Sequence, residues 1–180
     1  MRIISGSARG LKLLTPDGLD TRPTADRVKE ALFSSLSDKI PSSLVLDAFS
    51  GSGALGIEAL SRGAARAVMT ESDPKAFSLC RENLLKSRLS DRGEVILTDA
   101  LSYIDKTEDI FDIIFLDPPY ASGLYEPFLR KAERHLAPGG IIIAEYEEKN
   151  LPVIPGCYRV IKEKKYGRVH LSYLTGVEQY

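Results

Sequence analysis

The sequence predicts an α/β protein: a mostly parallel sheet with helices on both faces and one antiparallel strand. Three observations carry that expectation. From Leu44 onward, short β-rich runs alternate with helix-patterned stretches, the layout of a parallel sheet covered by helices. The first run leads at once into a glycine turn, Ser50-Gly51-Ser52-Gly53-Ala54-Leu55-Gly56, which opens a helix at the strand's carboxyl end. Near the end of the chain, two β-rich runs flank a tight turn at Tyr166-Gly167, and this hairpin brings an antiparallel member into the sheet.

Taken in order, residues 1–20 form a basic, glycine-punctuated extension expected as a β-hairpin, and residues 21–180 form the main domain. A helix is expected from Thr24 to Leu36, with Val28, Ala31, Leu32 and Leu36 on its apolar face and Thr24 as its N-cap. Strands are expected at Leu44 to Phe49, Ala67 to Glu71, Glu94 to Thr98, Phe111 to Leu116 and Ile141 to Tyr146. The helix after the second strand is the best marked: Asp73 suits an N-cap, Pro74 suits the first helical position, and Phe77, Cys80 and Leu84 share one face. Cys80 therefore reads as core. A further helix from about Leu124 to Leu136 ends before Pro138-Gly139-Gly140, which should turn the chain into the fifth strand. The tail reads as strands from Tyr158 and from Val169 to Leu174.

Composition bounds the function classes. The 180 residues are 43% hydrophobic and 27% charged, ordinary for a globular domain. A net charge of −1 argues against coating nucleic acid through overall basicity, so any polyanion must meet one face. Two cysteines, without CxxC spacing or neighbouring histidines, point away from a disulfide framework or a metal site. Met1-Arg2-Ile3-Ile4-Ser5-Gly6 turns polar too soon for a signal peptide, and no stretch approaches the ~18 apolar residues of a spanning helix. A soluble, reduced, cytoplasmic protein is expected.

The glycine turn and the acids around it point to a ligand. Glycines 51, 53 and 56 match G-x-G-x-x-G, and Glu71 ends the second strand where a carboxylate can accept both hydroxyls of a ribose. An adenosine cofactor follows, either NAD or S-adenosylmethionine. Asp47 decides between them, because a diphosphate beside a buried carboxylate is costly whereas S-adenosylmethionine brings an ammonium and a sulfonium. Asp99, ending the third strand, can bond the adenine amino group or cap the next helix, and the two roles are compatible. Phe49, Ser50, Ser72 and Ala100 stand beside these residues and complete the expected cofactor contacts.

The fourth strand closes on Leu116-Asp117-Pro118-Pro119-Tyr120. Each proline fixes its own φ and pushes the residue before it to extended geometry, so the Asp117 carboxylate and the Pro118 carbonyl become two acceptors on a stiff frame. Held by two acceptors, an aromatic exocyclic amine is drawn toward a pyramidal nitrogen whose lone pair can attack. Tyr120 offers a π-face for an unstacked base.

With these residues in this order, the chain resembles the bacterial RsmD family of S-adenosylmethionine-dependent methyltransferases acting on guanine N2 of small-subunit (16S) ribosomal RNA. The likeness extends to "RIISGSARG", "TRPTADRVKEALF", "GALGIEALSRGA" and "KKYGR". It implies a Rossmann-like class I methyltransferase with a seven-stranded sheet whose last strand is antiparallel. It also implies that Arg22-Pro23-Thr24 folds over the methionine end of the cofactor, although Arg22 alone reads equally as a solvated charge or phosphate contact. Asp47, Gly51, Gly53, Glu71, Asp99 and the segment from Asp117 to Tyr120 fill the family's motif positions. RNA contacts are expected from Arg2, Arg9 and Lys12 and from Lys164, Lys165, Tyr166 and Arg168, where basic residues surround an aromatic.

The expected catalytic residues are Asp117, Pro118 and Tyr120, with no metal. The expected partner is 16S ribosomal RNA, within the small subunit or an assembly intermediate, and the expected state is a monomer. One rival keeps the chemistry on adenine or cytosine of DNA, although little chain after Tyr120 remains for a target-recognition domain. Others are an NAD-dependent oxidoreductase and a non-catalytic RNA-binding module.

Overall fold

The computed structural model describes residues 1–16, 23–119 and 122–177. In chain order the elements are α1 (Pro23–Ser34), β1 (Leu44–Asp47), α2 (Ala54–Ser61), β2 (Arg66–Glu71), α3 (Pro74–Ser87), β3 (Gly93–Leu97), α4 (Ala100–Lys106), β4 (Phe111–Leu116), α5 (Tyr125–Ala132), a 3-10 turn (Glu133–His135), β5 (Leu136–Glu147), β6 (Tyr158–Tyr166) and β7 (Val169–Gly176). The seven strands form one sheet in the order β3-β2-β1-β4-β5-β7-β6. β1 to β5 are parallel, and β7 runs antiparallel to both of its neighbours, as the hairpin predicts.

Continuous apolar runs are what a sheet buried on both faces needs. Along β1, β4 and β5 alternate residues divide between two cores: Val45, Ile113, Phe115 and Ile143 face the layer of α1, α2 and α3, while Leu46, Ile114 and Ile142 face α4 and α5. The Phe33 and Phe115 rings meet at 5.5 Å, seating α1 on the first face. Tyr166 and Val169 of the terminal hairpin pack against the same core as Met1, Ala8 and Leu11.

Several boundaries differ from expectation. β1 ends at Asp47, because the chain then leaves the sheet to make the glycine turn, with Ser50 N–H on the Thr70 carbonyl. α1 starts at Pro23, so Thr24 lies inside the first turn rather than capping it. Pro138-Gly139-Gly140 does not start the fifth strand but lies within it: Leu136 pairs with Phe111 and Ile141 with Ile113, the extra residues bulge, and Gly139 takes φ 72°. The preceding helix stops at Ala132 and passes through the 3-10 turn.

The N-terminal residues fold back through an antiparallel bridge between Arg2 and Lys12. Glu58 on α2, wholly buried, accepts from the Ile4 and Ser5 amides at 2.8 and 3.0 Å, from Lys29 Nζ at 3.0 Å and from Arg62 Nε at 2.8 Å. Lys29 is therefore an interior partner rather than part of a basic surface; burial pulls its pKa down and Glu58 opposes the shift. Among the described residues, no helix is long and apolar enough to cross a membrane.

Candidate active site

Parallel register brings the carboxyl ends of β1 to β5 to one edge of the sheet. Strand order reverses between β2-β1 and β4-β5, and crevices for ligands open at such switch points. There a cleft of about 410 Å³ is lined by residues that include Phe49, Gly51, Glu71, Ser72, Asp99, Ala100, Asp117 and Pro118.

The glycine turn is shaped by steric demands. Gly53 caps α2 at φ 79°, and a Cβ there would stand 2.6 Å from Cys80 Sγ. A Cβ at Gly56 would stand 2.5 Å from Met69 Cγ, so its absence lets α2 lie close on β2. Glu71 fastens the turn, with Oε2 accepting from the Gly51 amide at 2.9 Å and Oε1 from the Asp73 amide at 2.8 Å. Thr70, unremarked in the sequence, is buried beside it and donates to the Ala48 carbonyl at 2.7 Å. Asp99 lines the cleft and also caps α4, accepting from the Ser102 amide at 2.9 Å; those hydrogen bonds hold its carboxyl below the usual range. Ser50 and Gly53 are buried in the turn behind the cleft wall.

Asp47 is placed differently from a residue that faces a ligand. It is 2% exposed and accepts the Gly56 amide at 2.9 Å, bracing the first turn of α2 from below. Burial pushes its carboxyl up to about 7; the Gly56 bond opposes the shift and Glu71 adds to it.

Asp117 follows β4 at the cleft. Leu116 pairs with Ala144, so the next residues, Asp117 and Glu145, are neighbours across adjacent strands. The Asp117 carboxyl is raised well above its usual range by burial, then by Glu145 and Asp47, and burial raises Glu145 to about 7. Strand alternation puts all three acids on the α1–α3 face. No lysine or arginine among the described residues forms an ion pair with any of them. Glu145 escaped the sequence reading; its only signal was an acid inside the apolar run Ile141-Ile142-Ile143-Ala144-Glu145-Tyr146.

Arg22 and Tyr120 lie outside the described residues, as does the Thr24 side chain. Arg9, Lys12 and Arg168 are exposed, Lys164 and Tyr166 are half-buried, Arg2 stands 3.8 Å from Asp26, and Lys165 pairs with Glu148 at 3.0 Å. Val169 pairs with both Glu147 and Tyr166, so the Gly167-Arg168 turn projects past the same sheet edge as Asp117. His135 bonds the Asp109 carbonyl through Nδ1 and His170 stacks on Tyr146. No cluster suited to a metal ion occurs among the described residues.

The family model described as conserved hypothetical protein 95 matches residues 1–175. The chain belongs to this family, the RsmD family. It is 39% identical over 172 residues, 94% of this chain and 86% of the other, to ribosomal RNA small subunit methyltransferase D of Escherichia coli strain K12. It is 37% identical over 174 residues, 94% and 90% of the two chains, to the protein of that name from Haemophilus influenzae. The solved E. coli structure of yhhF matches with a TM-score of 0.88 at 36% identity, covering 99% of each chain. This RsmD-family fold is a Rossmann-like class I methyltransferase fold, as the sequence predicts.

Proposed function

We propose that the protein transfers a methyl group from S-adenosylmethionine to the exocyclic N2 amine of a guanine in 16S ribosomal RNA. Family membership supports methyl transfer to ribosomal RNA. One observation carries the donor and the amine: a glycine turn and ribose-accepting acid share a single cleft with a rigid pair of oxygens at the tip of β4.

The cleft suits the donor in size and charge. Its volume lies within the usual ~300–1,000 Å³ of small-molecule sites. Glu71 keeps a lone pair on each oxygen for a ribose hydroxyl after bonding Gly51 and Asp73. The Asp99 oxygen other than the one that accepts the Ser102 amide is available to the adenine amine. The raised carboxyls of Asp47, Asp117 and Glu145 favour a cation, since positive charge nearby lets them ionise. Asp47 acts from beneath the turn, through its charge and through the Gly56 bond.

S-adenosylmethionine, when bound, supplies an electrophilic methyl carbon on a cationic sulfur. The protein's own part is positional. Asp117 and the Pro118 carbonyl accept the two N–H groups of the guanine amine and fix its lone pair; Tyr120 stacks the extruded base. The proton lost from nitrogen after the C–N bond forms passes to the Asp117 carboxylate. Such alignment contributes up to about 7–11 kcal/mol. Lys164, Lys165, Tyr166 and Arg168 hold the RNA beside the catalytic edge, Arg2, Arg9 and Lys12 contact it from the N-terminal segment, and Arg22 and Thr24 contact the donor.

The test is incubation of the protein with labelled donor and unmodified small ribosomal subunits, then mass spectrometry of the nucleosides. Labelled N2-methylguanosine is expected. Label in methyladenosine or methylcytidine would replace the substrate, as would label appearing only when DNA is supplied in place of the subunits.

A further inference from the structure

Asn83 lies in the middle of α3, a position where asparagine is a poor helix former, and it is wholly buried. Its side chain leaves the helix to bond two other segments. Oδ1 accepts the Leu14 amide at 2.7 Å, and Nδ2 donates to the Leu14 carbonyl at 2.9 Å and to the Ser52 carbonyl at 2.9 Å. Both donors and the acceptor of one amide are thus engaged. Leu14 belongs to the N-terminal segment that Glu58 fixes through Ile4 and Ser5, and Ser52 is the middle residue of the glycine turn. A residue satisfied by its own helix would have no need of this geometry.

We propose that Asn83 is a positioning residue that clamps the N-terminal segment and the glycine turn into one unit, so that the cofactor wall of the cleft stands preformed. Leucine would nearly fill the same space but leave one amide and two carbonyls without their buried partner. The consequence is long-range: a change at Leu14, which is outside the cleft wall, reaches the cofactor turn. The cofactor part of this inference rests on S-adenosylmethionine binding against that turn; the mechanical part does not.

Two variants test it, Asn83→Leu and Leu14→Pro, the second removing the Leu14 amide donor together with the leucine side chain while leaving the α3 sequence unchanged should the first fail to fold. Hydrogen exchange followed by mass spectrometry should show residues 10–16 and 50–56 both exchanging about tenfold faster in either variant, with α5 unchanged. The dissociation constant for S-adenosylmethionine, and its KM, should rise about tenfold while kcat at saturating donor holds, a split that general loss of folded protein would not produce. A turn that keeps its protection while the N-terminal segment loosens would overturn the clamp. Coupled exchange in a protein that never binds S-adenosylmethionine would leave the clamp standing and remove the cofactor reading instead.

Discussion

Asp117 draws its chemistry from two prolines in sequence and from an acid it meets only in space. The prolines stiffen the frame; Glu145, brought alongside by the β4–β5 register, makes its ionisation harder. Asp117→Ala should lower methylation at saturating donor by at least about 10²-fold, measured by single-turnover assay; retained turnover would take Asp117 out of the mechanism. In Glu145→Gln a like charge is gone, so Asp117 ionises more readily, with Asp47 the remaining acid beside it. The acid limb of the kcat/KM profile should then move to lower pH, and an unmoved limb would separate Glu145 from catalysis. The first of these residues stands out in the sequence because proline acts on its immediate neighbours. The second is marked only by its place in an apolar run, and that pattern does not say which acid it will meet across the sheet.

Among the elements, α3 and the glycine turn show how far local rules reach. Asp73 accepts from the Lys75 and Ala76 amides at 3.0 and 2.8 Å, as its place before Pro74 predicts. Asp73→Ala should cost ~1 kcal/mol in urea unfolding, the usual worth of an N-cap. Gly56→Ala should cost about 1–3 kcal/mol because Met69 fills the space, and less than the sum of the single changes once Met69 is shortened to Ala. Strict additivity would show that the two do not touch. The same local reasoning misplaced the start of β5, because a Pro-Gly-Gly run that normally ends an element is absorbed here as a bulge by pairing with β4.

At the scale of the whole molecule, the buried acids link stability to pH. Asp47 and Glu145 are raised to about 7, and Asp117 is raised as well. Between about pH 4, where such groups ionise in an unfolded chain, and about pH 7, the native state holds more protons. Their contribution is therefore complete below that window and lost as pH rises through it. Asp47→Asn should gain stability relative to the parent protein at pH 7.5 compared with pH 5, measured by urea unfolding of the ligand-free protein; an equal effect at both pH values would deny the raised carboxyl. Binding of S-adenosylmethionine should release protons across the same window. Sequence by itself determined the strand and helix alternation, the cap of α3, the glycine turn, Glu71 and the stiff Asp117-Pro118 frame, because each depends on residues within one element or its flanking turn. Only the tertiary structure decided that Asp47 braces Gly56, that Glu145 stands beside Asp117, that Lys29 is interior, and that Asn83 joins Leu14 to Ser52. Those pairings are set by strand register and helix seating between distant parts of the chain, which no local periodicity encodes.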